Sequence, residues 1–297
     1  MYIGRFAPSP TGPLHFGSLV AAVASFCDAK AHHGQWLVRM EDLDKPREIK
    51  GAADTILHQL EAFGFEWDSE VLYQSRRDDF YTEVFNRLKS RGLVYPCTCT
   101  RKEIADSGQQ LGIDGVVYSR TCLHQPLKPN APKAWRMRTD DLEISFNDAI
   151  QGNIHQNLCK QVGDFVLKRA DGLFAYQLAV VVDDAEQGIT HIVRGADLLD
   201  STPRQIYLQE CLRYPTPQYA HIPIAMNVSG EKLSKQTLAK SLNTQIANHL
   251  LFNALHFLGQ QPPDEIKSAT LNEMWRWALA NWQLSHIPKT RNICIND

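Results

Sequence analysis

Near the start of the chain, Gly4-Arg5-Phe6-Ala7-Pro8-Ser9-Pro10-Thr11-Gly12-Pro13-Leu14-His15-Phe16-Gly17-Ser18 sets a histidine in a glycine-lined corner between a strand and a helix. Far downstream, Lys232-Leu233-Ser234-Lys235 brackets a serine with two ammonium groups. Gly12 and Gly17 let backbone approach a ligand closely, and a helix beginning near Gly17 offers unpaired amides to phosphate oxygens. His15 adds a donor that strengthens as charge grows on a transferring phosphorus, and Lys232 and Lys235 can follow that charge on flexible stems. A histidine beside glycine is usually structural, and short lysine–serine strings recur by chance. It is their order, with Ile222-Pro223-Ile224-Ala225-Met226 ahead of the lysines, that points to a bound triphosphate. The glycine-lysine-serine loop of common kinases and ATPases is absent.

A second constellation is charged. Met40-Glu41-Asp42-Leu43-Asp44 follows a strand candidate, and its plainest reading is a solvated loop in which Asp44 caps a helix ahead of Pro46. The chemical reading gives Glu41 to an amino group while Arg5 and Arg194 grip carboxylates, a task suited to a planar guanidinium. Asp183 and Asp184, taken as strand neighbours, would point to opposite faces, which favours structural roles over a metal pair. Any magnesium would then be expected to arrive on the phosphates of the bound triphosphate.

A third cluster is sulfur. Cys97-Thr98-Cys99 and Cys122 could hold one ion, with Tyr118 or His124 closing the tetrahedron. Seven scattered cysteines, an odd number, do not form a disulfide framework. With no apolar run of about 18 residues and no secretory leader, a cytoplasmic chain is expected.

The elements that must position these groups alternate. Strands are expected at Tyr2–Phe6, Trp36–Met40 and Ile189–Val193, and helices at Ser18–Ala31, Gly51–Phe63 and Pro203–Leu212. Phe174–Val182 is apolar without a deciding period. Between Cys97 and Lys133 turn residues accumulate, Trp135–Arg138 and Leu142–Asn147 alternate as short strands, and apolar stripes beyond Ser241 predict a helical tail. Trp275, Trp277 and Trp282 could stack on RNA, but their helical spacing favours core packing. The 297 residues carry a net charge of −2, so a polyanionic partner would need a local basic surface.

The His15 and Lys232 strings, with Tyr176–Asp184 and Gly188–Gly195, resemble the glutamyl/glutaminyl subgroup of class I aminoacyl-tRNA synthetases from residue 3 to about 240. That resemblance implies an α/β fold: a Rossmann-like parallel sheet with an inserted zinc-bearing lobe and a small helical C-terminal region. The parts would be 1–96 and 166–215 for the catalytic domain, 97–165 for the lobe, and 216–297 for the lysine–serine loop and tail. It implies ATP at Pro8, Thr11, Gly12, His15, Gly17, Ser18, Lys232, Ser234 and Lys235, of which His15, Lys232 and Lys235 are catalytic. It implies glutamate at Arg5, Phe6, Ala7, Ser9, Glu41, Tyr176 and Arg194. The Cys-x-Cys then Tyr-x3-Cys order is similar to the zinc insert of a truncated branch of the family. This selects Tyr118 over His124 and implies one structural Zn2+ held by Cys97, Cys99, Tyr118 and Cys122.

Only about sixty residues follow the lysine–serine loop, too few for the anticodon-binding part of ordinary members. The truncated branch activates L-glutamate with ATP and transfers it to queuosine in the anticodon loop of tRNA(Asp). The same reaction, by a monomer with no membrane partner, is the expectation here. The competing expectations are a ligase that charges a conventional tRNA 3′ end and a catalytically idle RNA-binding relative. Gln236 departs from the serine that often ends the family loop.

Overall fold

Gln35–Met40 reads Trp-Leu-Val-Arg-Met after its first residue, and everything past Gln35 is buried, as a strand covered on both faces requires. The computed structural model describes residues 1–107, 110–233 and 240–295. Strand β1 (Ile3–Phe6) leads into α1 (Phe16–Ala31), β2 (Gln35–Met40), α2 (Ala52–Ala62), β3 (Leu72–Tyr73) and α3 (Asp78–Ser90). Then come β4 (Val94–Cys97), α4 (Arg101–Ser107), β5 (Leu111–Gly112), β6 (Gly115–Val116), α5 (Thr121–His124), β7 (Ala134–Met137), β8 (Glu143–Asp148), β9 (Gly152–Asn157), α6 (Leu158–Gln161) and β10 (Phe165–Lys168). The remainder is α7 (Tyr176–Glu186), β11 (His191–Gly195), α8 (Thr202–Leu212), β12 (Gln218–Ile222), β13 (Ile224–Met226), α9 (Ala247–Phe257), α10 (Leu271–Asn281) and β14 (Asn292–Cys294).

Strands β3, β2 and β1 are parallel neighbours, as are β11 and β12. The Thr190 N–H donates to the Ile3 carbonyl at 2.9 Å and sets β1 beside β11. The order β3-β2-β1-β11-β12 therefore changes direction between β1 and β11, the place where open α/β sheets bind ligands at strand carboxyl ends. Phe6, Trp36, Val38, Met40, Val193, Ala220 and Ile222 pack on one face with residues of α1, α9 and α10. Leu37, Ile192 and Tyr219 pack on the other with α3, α7 and α8. By alternation, Arg5, Arg39, Arg194 and His221 share the second face.

The 97–165 region shares strand pairing with the parts on either side of it, in a separate three-stranded sheet of order β10-β7-β4 and through the β8–β9 hairpin. Strand β7 pairs antiparallel with both β4 and β10, which straddle the expected boundaries at 96/97 and 165/166. The β8–β9 hairpin joins β12, with Asp148 opposite Tyr219. Two readings of the sequence change. The undecided Phe174–Val182 run is mostly helical, buried from Leu178 through Asp184, so Asp183 and Asp184 diverge by about 100° on α7 and do not oppose each other on a strand. Asp44 makes no capping bond and accepts instead from Arg47 Nε at 2.6 Å.

The tail tryptophans are structural. Trp275 Nε1 donates to the Phe63 carbonyl at 2.8 Å and its ring meets Phe26 and Phe65, while Trp282 Nε1 donates to Asp28 Oδ1 at 3.0 Å. Trp277 packs partly buried against the same core. Removing the Trp275 ring would leave a cavity between α1, α2 and the tail. Trp275→Ala should cost about 3–5 kcal/mol, read as a lower midpoint in chemical denaturation; an unchanged midpoint would show the tail to be unnecessary to the core.

Candidate active site

Two adjoining cavities open where β1, β2 and β11 end. One, of about 460 Å³, is lined by Pro8, Thr11, His15, Gly17, Ser18 and Lys232 together with Ile222–Ala225. The other, of about 650 Å³, is lined by Arg5, Phe6, Ala7, Ser9, Glu41, Tyr176 and Arg194 among others. Phe6, Ser9, Ala21, Gly195, Asp197 and Lys232 line both, so the cavities are halves of one crevice. Gly12 lines neither; its φ of 139° is a turn conformation that a side chain would strain. Ser234 and Lys235 lie outside the described residues.

His15 caps α1, its Nδ1 accepting from the Ser18 N–H at 3.3 Å, which leaves the proton of a neutral ring on Nε2. A Cβ on Gly17 would stand 3.2 Å from the His15 ring, closer than side chains normally pack, and in ordinary contact at 3.5 Å with the Leu233 carbonyl, so glycine chiefly leaves room for the histidine. Lys232 Nζ lies 2.5 Å from Asp197 Oδ2. Asp197 was not among the residues expected from sequence, although the Arg194–Asp197 segment follows a strand aimed at the crevice.

Beneath the larger cavity lies a buried ion cluster. Asp184 Oδ1 accepts from Arg5 Nε at 3.0 Å and sits 2.8 Å from Arg39 Nη2. Burial alone would raise the Asp184 carboxyl, but Arg39 and Arg5 outweigh it and hold it below the usual range. Asp183 accepts from Gln74, Tyr81 and Arg77 at 2.7, 2.9 and 2.8 Å. Glu41 sits 3.5 Å from Arg39, and its Oε1 is buried with no hydrogen bond among the described residues. Burial pushes its carboxyl up to about 7, against the pull of Arg39 and Arg5. Arg5, expected to grip a ligand carboxylate, is thus already paired with Asp184. Arg39, Asp183 and Asp184 form the support that the sequence did not mark as a unit.

Arg194 is held differently. Its Nε donates to His221 Nε2 at 3.0 Å, its Nη2 to Thr202 and Gln205 at 2.8 and 2.7 Å, and its Nη1 lies 3.5 Å from the Tyr176 hydroxyl. Every one of these acceptors is neutral, so the guanidinium keeps its charge at the cavity wall. His221, Thr202 and Gln205 were missed because they are separated in sequence and look like ordinary core polar residues.

Away from the crevice, the sulfurs of Cys97, Cys99 and Cys122 all lie within 4.8 Å of one another. The Tyr118 hydroxyl is 3.3 Å from Cys97 Sγ and 3.6 Å from Cys99 Sγ, and accepts from the Cys122 N–H at 2.9 Å. Burial opposes ionisation of Cys122, but hydrogen bonds from Tyr118 and Thr98 bring its thiol down to about 6. Three thiols and a phenol facing one point are a donor set that fits a metal ion, while His124 is exposed at the end of α5.

The family described as tRNA synthetases class I (E and Q), catalytic domain, matches residues 3–292. The chain is 56% identical over 292 residues to a protein of Neisseria meningitidis serogroup B named glutamyl-Q tRNA(Asp) synthetase, covering 97% of this chain and 98% of that one. A protein of the same name from Dechloromonas aromatica is 57% identical over 289 residues, covering 97% and 96%. Among solved structures, a glutamate tRNA ligase from Elizabethkingia meningosepticum, in complex with its amino acid, superposes with a TM-score of 0.79 at 25% identity, over 99% of this chain and 66% of that one. The chain thus spans about two thirds of that ligase.

The electrostatics of the crevice floor can be read directly. In the unliganded protein the Glu41 carboxyl should titrate with a midpoint near 7, followed by the carbon-13 shift of its Cδ. A midpoint near 4.5, the ordinary value, would mean that the cluster leaves it hydrated.

Proposed function

The chain belongs to the class I tRNA synthetases of the glutamate and glutamine type, and on that premise we propose that it activates L-glutamate with ATP and transfers it to the queuosine of tRNA(Asp), as its Neisseria and Dechloromonas relatives are named for. The observation that carries this reading is one crevice with a buried, unbonded carboxylate oxygen at Glu41 and a charged Arg194 in one half, and His15 and Lys232 in the other. An amino acid with an anionic side chain matches the first half: ammonium to Glu41, side-chain carboxylate to Arg194. The hydroxyls of Ser9 and Tyr176 and the backbone around Phe6 and Ala7 complete its enclosure. Arg5 then acts through the field of its ion pair with Asp184 as well as by contact.

The ligand's α-carboxylate oxygen attacks the α-phosphorus of ATP, the bond to the bridging oxygen breaks, and pyrophosphate leaves. His15, donating from Nε2 at the start of α1, and Lys232, exchanging Asp197 for phosphate, stabilise the charge that builds there. Pro8, Thr11, Gly17 and Ser18 shape the phosphate-side wall, Gly12 supplies the turn behind it, and the resemblance assigns Ser234 and Lys235 to the same phosphates. Magnesium bound to ATP would supply further neutralisation of the phosphate charge. A queuosine hydroxyl then attacks the activated carbonyl, AMP leaves, and an ester remains on the modified base. Positioning of the two reactants carries much of both steps.

Zinc at Cys97, Cys99, Tyr118 and Cys122 would cross-link the lobe, all four positions being taken by protein donors with none left for water. A monomer working in the cytoplasm, where charged and modified tRNA is handled, completes the proposal. No helix among the described residues is long and apolar enough to cross a membrane.

Three results are expected. The protein should catalyse glutamate-dependent ATP–pyrophosphate exchange and place labelled glutamate on the anticodon fragment of queuosine-containing tRNA(Asp); label on the acceptor fragment would favour conventional charging. The KM for glutamate should rise as pH falls below about 7, because protonated Glu41 no longer pairs with the ammonium, and Glu41→Gln should be weak and flat with pH. Metal analysis should find about one zinc per chain, and Cys122→Ser should lower both zinc content and the thermal midpoint while sparing the residues of the crevice.

A further inference from the structure

A carboxylate is gripped most strongly by an arginine not already paired with another carboxylate, and the sheet places two arginines of different status beside one cavity. Arg5 shares the Asp184 carboxylate with Arg39, whereas Arg194 is fixed by His221, Thr202, Gln205 and Tyr176, which carry no charge. Strands β11 and β12 are in register so that Arg194 stands directly opposite His221. Both side chains are almost wholly buried.

The neutrality of this cage is itself maintained. For His221 Nε2 to accept from Arg194, the ring proton must sit on Nδ1, and Asp148 Oδ2 lies 2.6 Å from that nitrogen to receive it. The other oxygen, Asp148 Oδ1, accepts from the N–H groups of His221, Ile150 and Gln151 at 3.0, 3.0 and 2.9 Å, so the carboxylate cannot turn away. Burial also pushes the imidazole down to about 4 in spite of Asp148, with Arg194 adding to the effect. Gln205 is oriented by a comparable chain. Its Oε1 faces Arg194, its Nε2 donates to Gln177 Oε1 at 3.0 Å, and Gln177 Nε2 donates to Ser201 at 3.2 Å.

We propose that the choice of an amino acid with a carboxylate tip over its amide is set by this cage, with Gln205 as a specificity-determining residue and Asp148 as a positioning residue that keeps His221 an acceptor. The inference rests on the glutamate-activating reading above. A carboxylate in the cage would neutralise Arg194 before substrate arrives. A donor at His221 Nε2 would instead meet the Arg194 N–H head on and displace the guanidinium. In either case the ligand's anionic tip loses its partner, while its ammonium and the ATP half of the crevice are untouched.

Two near-isosteric variants separate these effects. Gln205→Glu introduces the charge at the atom 2.7 Å from Arg194 Nη2. Asp148→Asn keeps Oδ1 for its backbone partners and presents an NH2 to His221 Nδ1, which moves the ring proton to Nε2. ATP–pyrophosphate exchange is measured with glutamate and with glutamine for parent and variants, alongside nitrogen-15 shifts of the His221 ring. Gln205→Glu should raise the KM for glutamate roughly tenfold to a hundredfold, with the KM for ATP unchanged and the glutamate-to-glutamine ratio of kcat/KM falling. In Asp148→Asn the ring should change tautomer, and the KM for glutamate should rise about tenfold with kcat less affected. If folded variants keep the parent's ratio and KM, the cage has no part in selection. A parent protein without glutamate-dependent exchange would instead overturn the functional reading itself, and the inference with it.

Discussion

Taking a charge out of water is costly unless an opposite charge follows it, and this constraint organises the centre of the molecule. Asp184 at the core of α7 draws Arg5 from β1 and Arg39 from β2 onto one point, and Asp183, one residue earlier, ties the same helix to Arg77 and Tyr81 around α3. Strands and helix are thereby fixed relative to one another by bonds with direction as well as by apolar burial. Glu41 is left at the edge of this cluster with more burial than pairing. A charged group from outside can complete what the protein leaves incomplete.

The crevice is a consequence of sheet topology. Parallel strands all end on one side, and the change of direction between β1 and β11 leaves room there that no crossover helix fills. Alternation along each strand sends apolar residues to both helical layers, but it also puts Arg5, Arg39, Arg194 and His221 on a common face, where their spacing is set by strand separation. The glycines at the corner contribute by omission. At Gly17 a side chain would crowd the His15 ring at the start of α1.

The two arginines of the larger cavity show how one residue type takes two roles. Arg5 helps to hold the floor through Asp184, while Arg194 is held by dipoles and retains its field. Such a difference is invisible in a string of letters, since both are strand arginines flanked by apolar residues or glycine. It arises because a carboxylate reaches one and an imidazole, a hydroxyl and an amide reach the other.

Much of the architecture was legible in the sequence for a local reason. Strand and helix periods, the glycine corner and the clustered cysteines are decided by residues close in the chain, so β1, α1, β2, the helical tail and the sulfur cluster could all be placed within a few residues. Where period was ambiguous, at Phe174–Val182, a fully buried helix and a strand carry the same apolar run, and only packing on α3 and α8 separated them. The Asp148–His221–Arg194 chain lay beyond reach as well, because it joins β8, β11 and β12 through long-range pairing. Thus the sequence by itself determined which groups were available and the local geometry that presents each one. Tertiary structure alone decided which charges are spent on one another and which remain for a ligand, because that balance depends on burial and on partners far away in the chain.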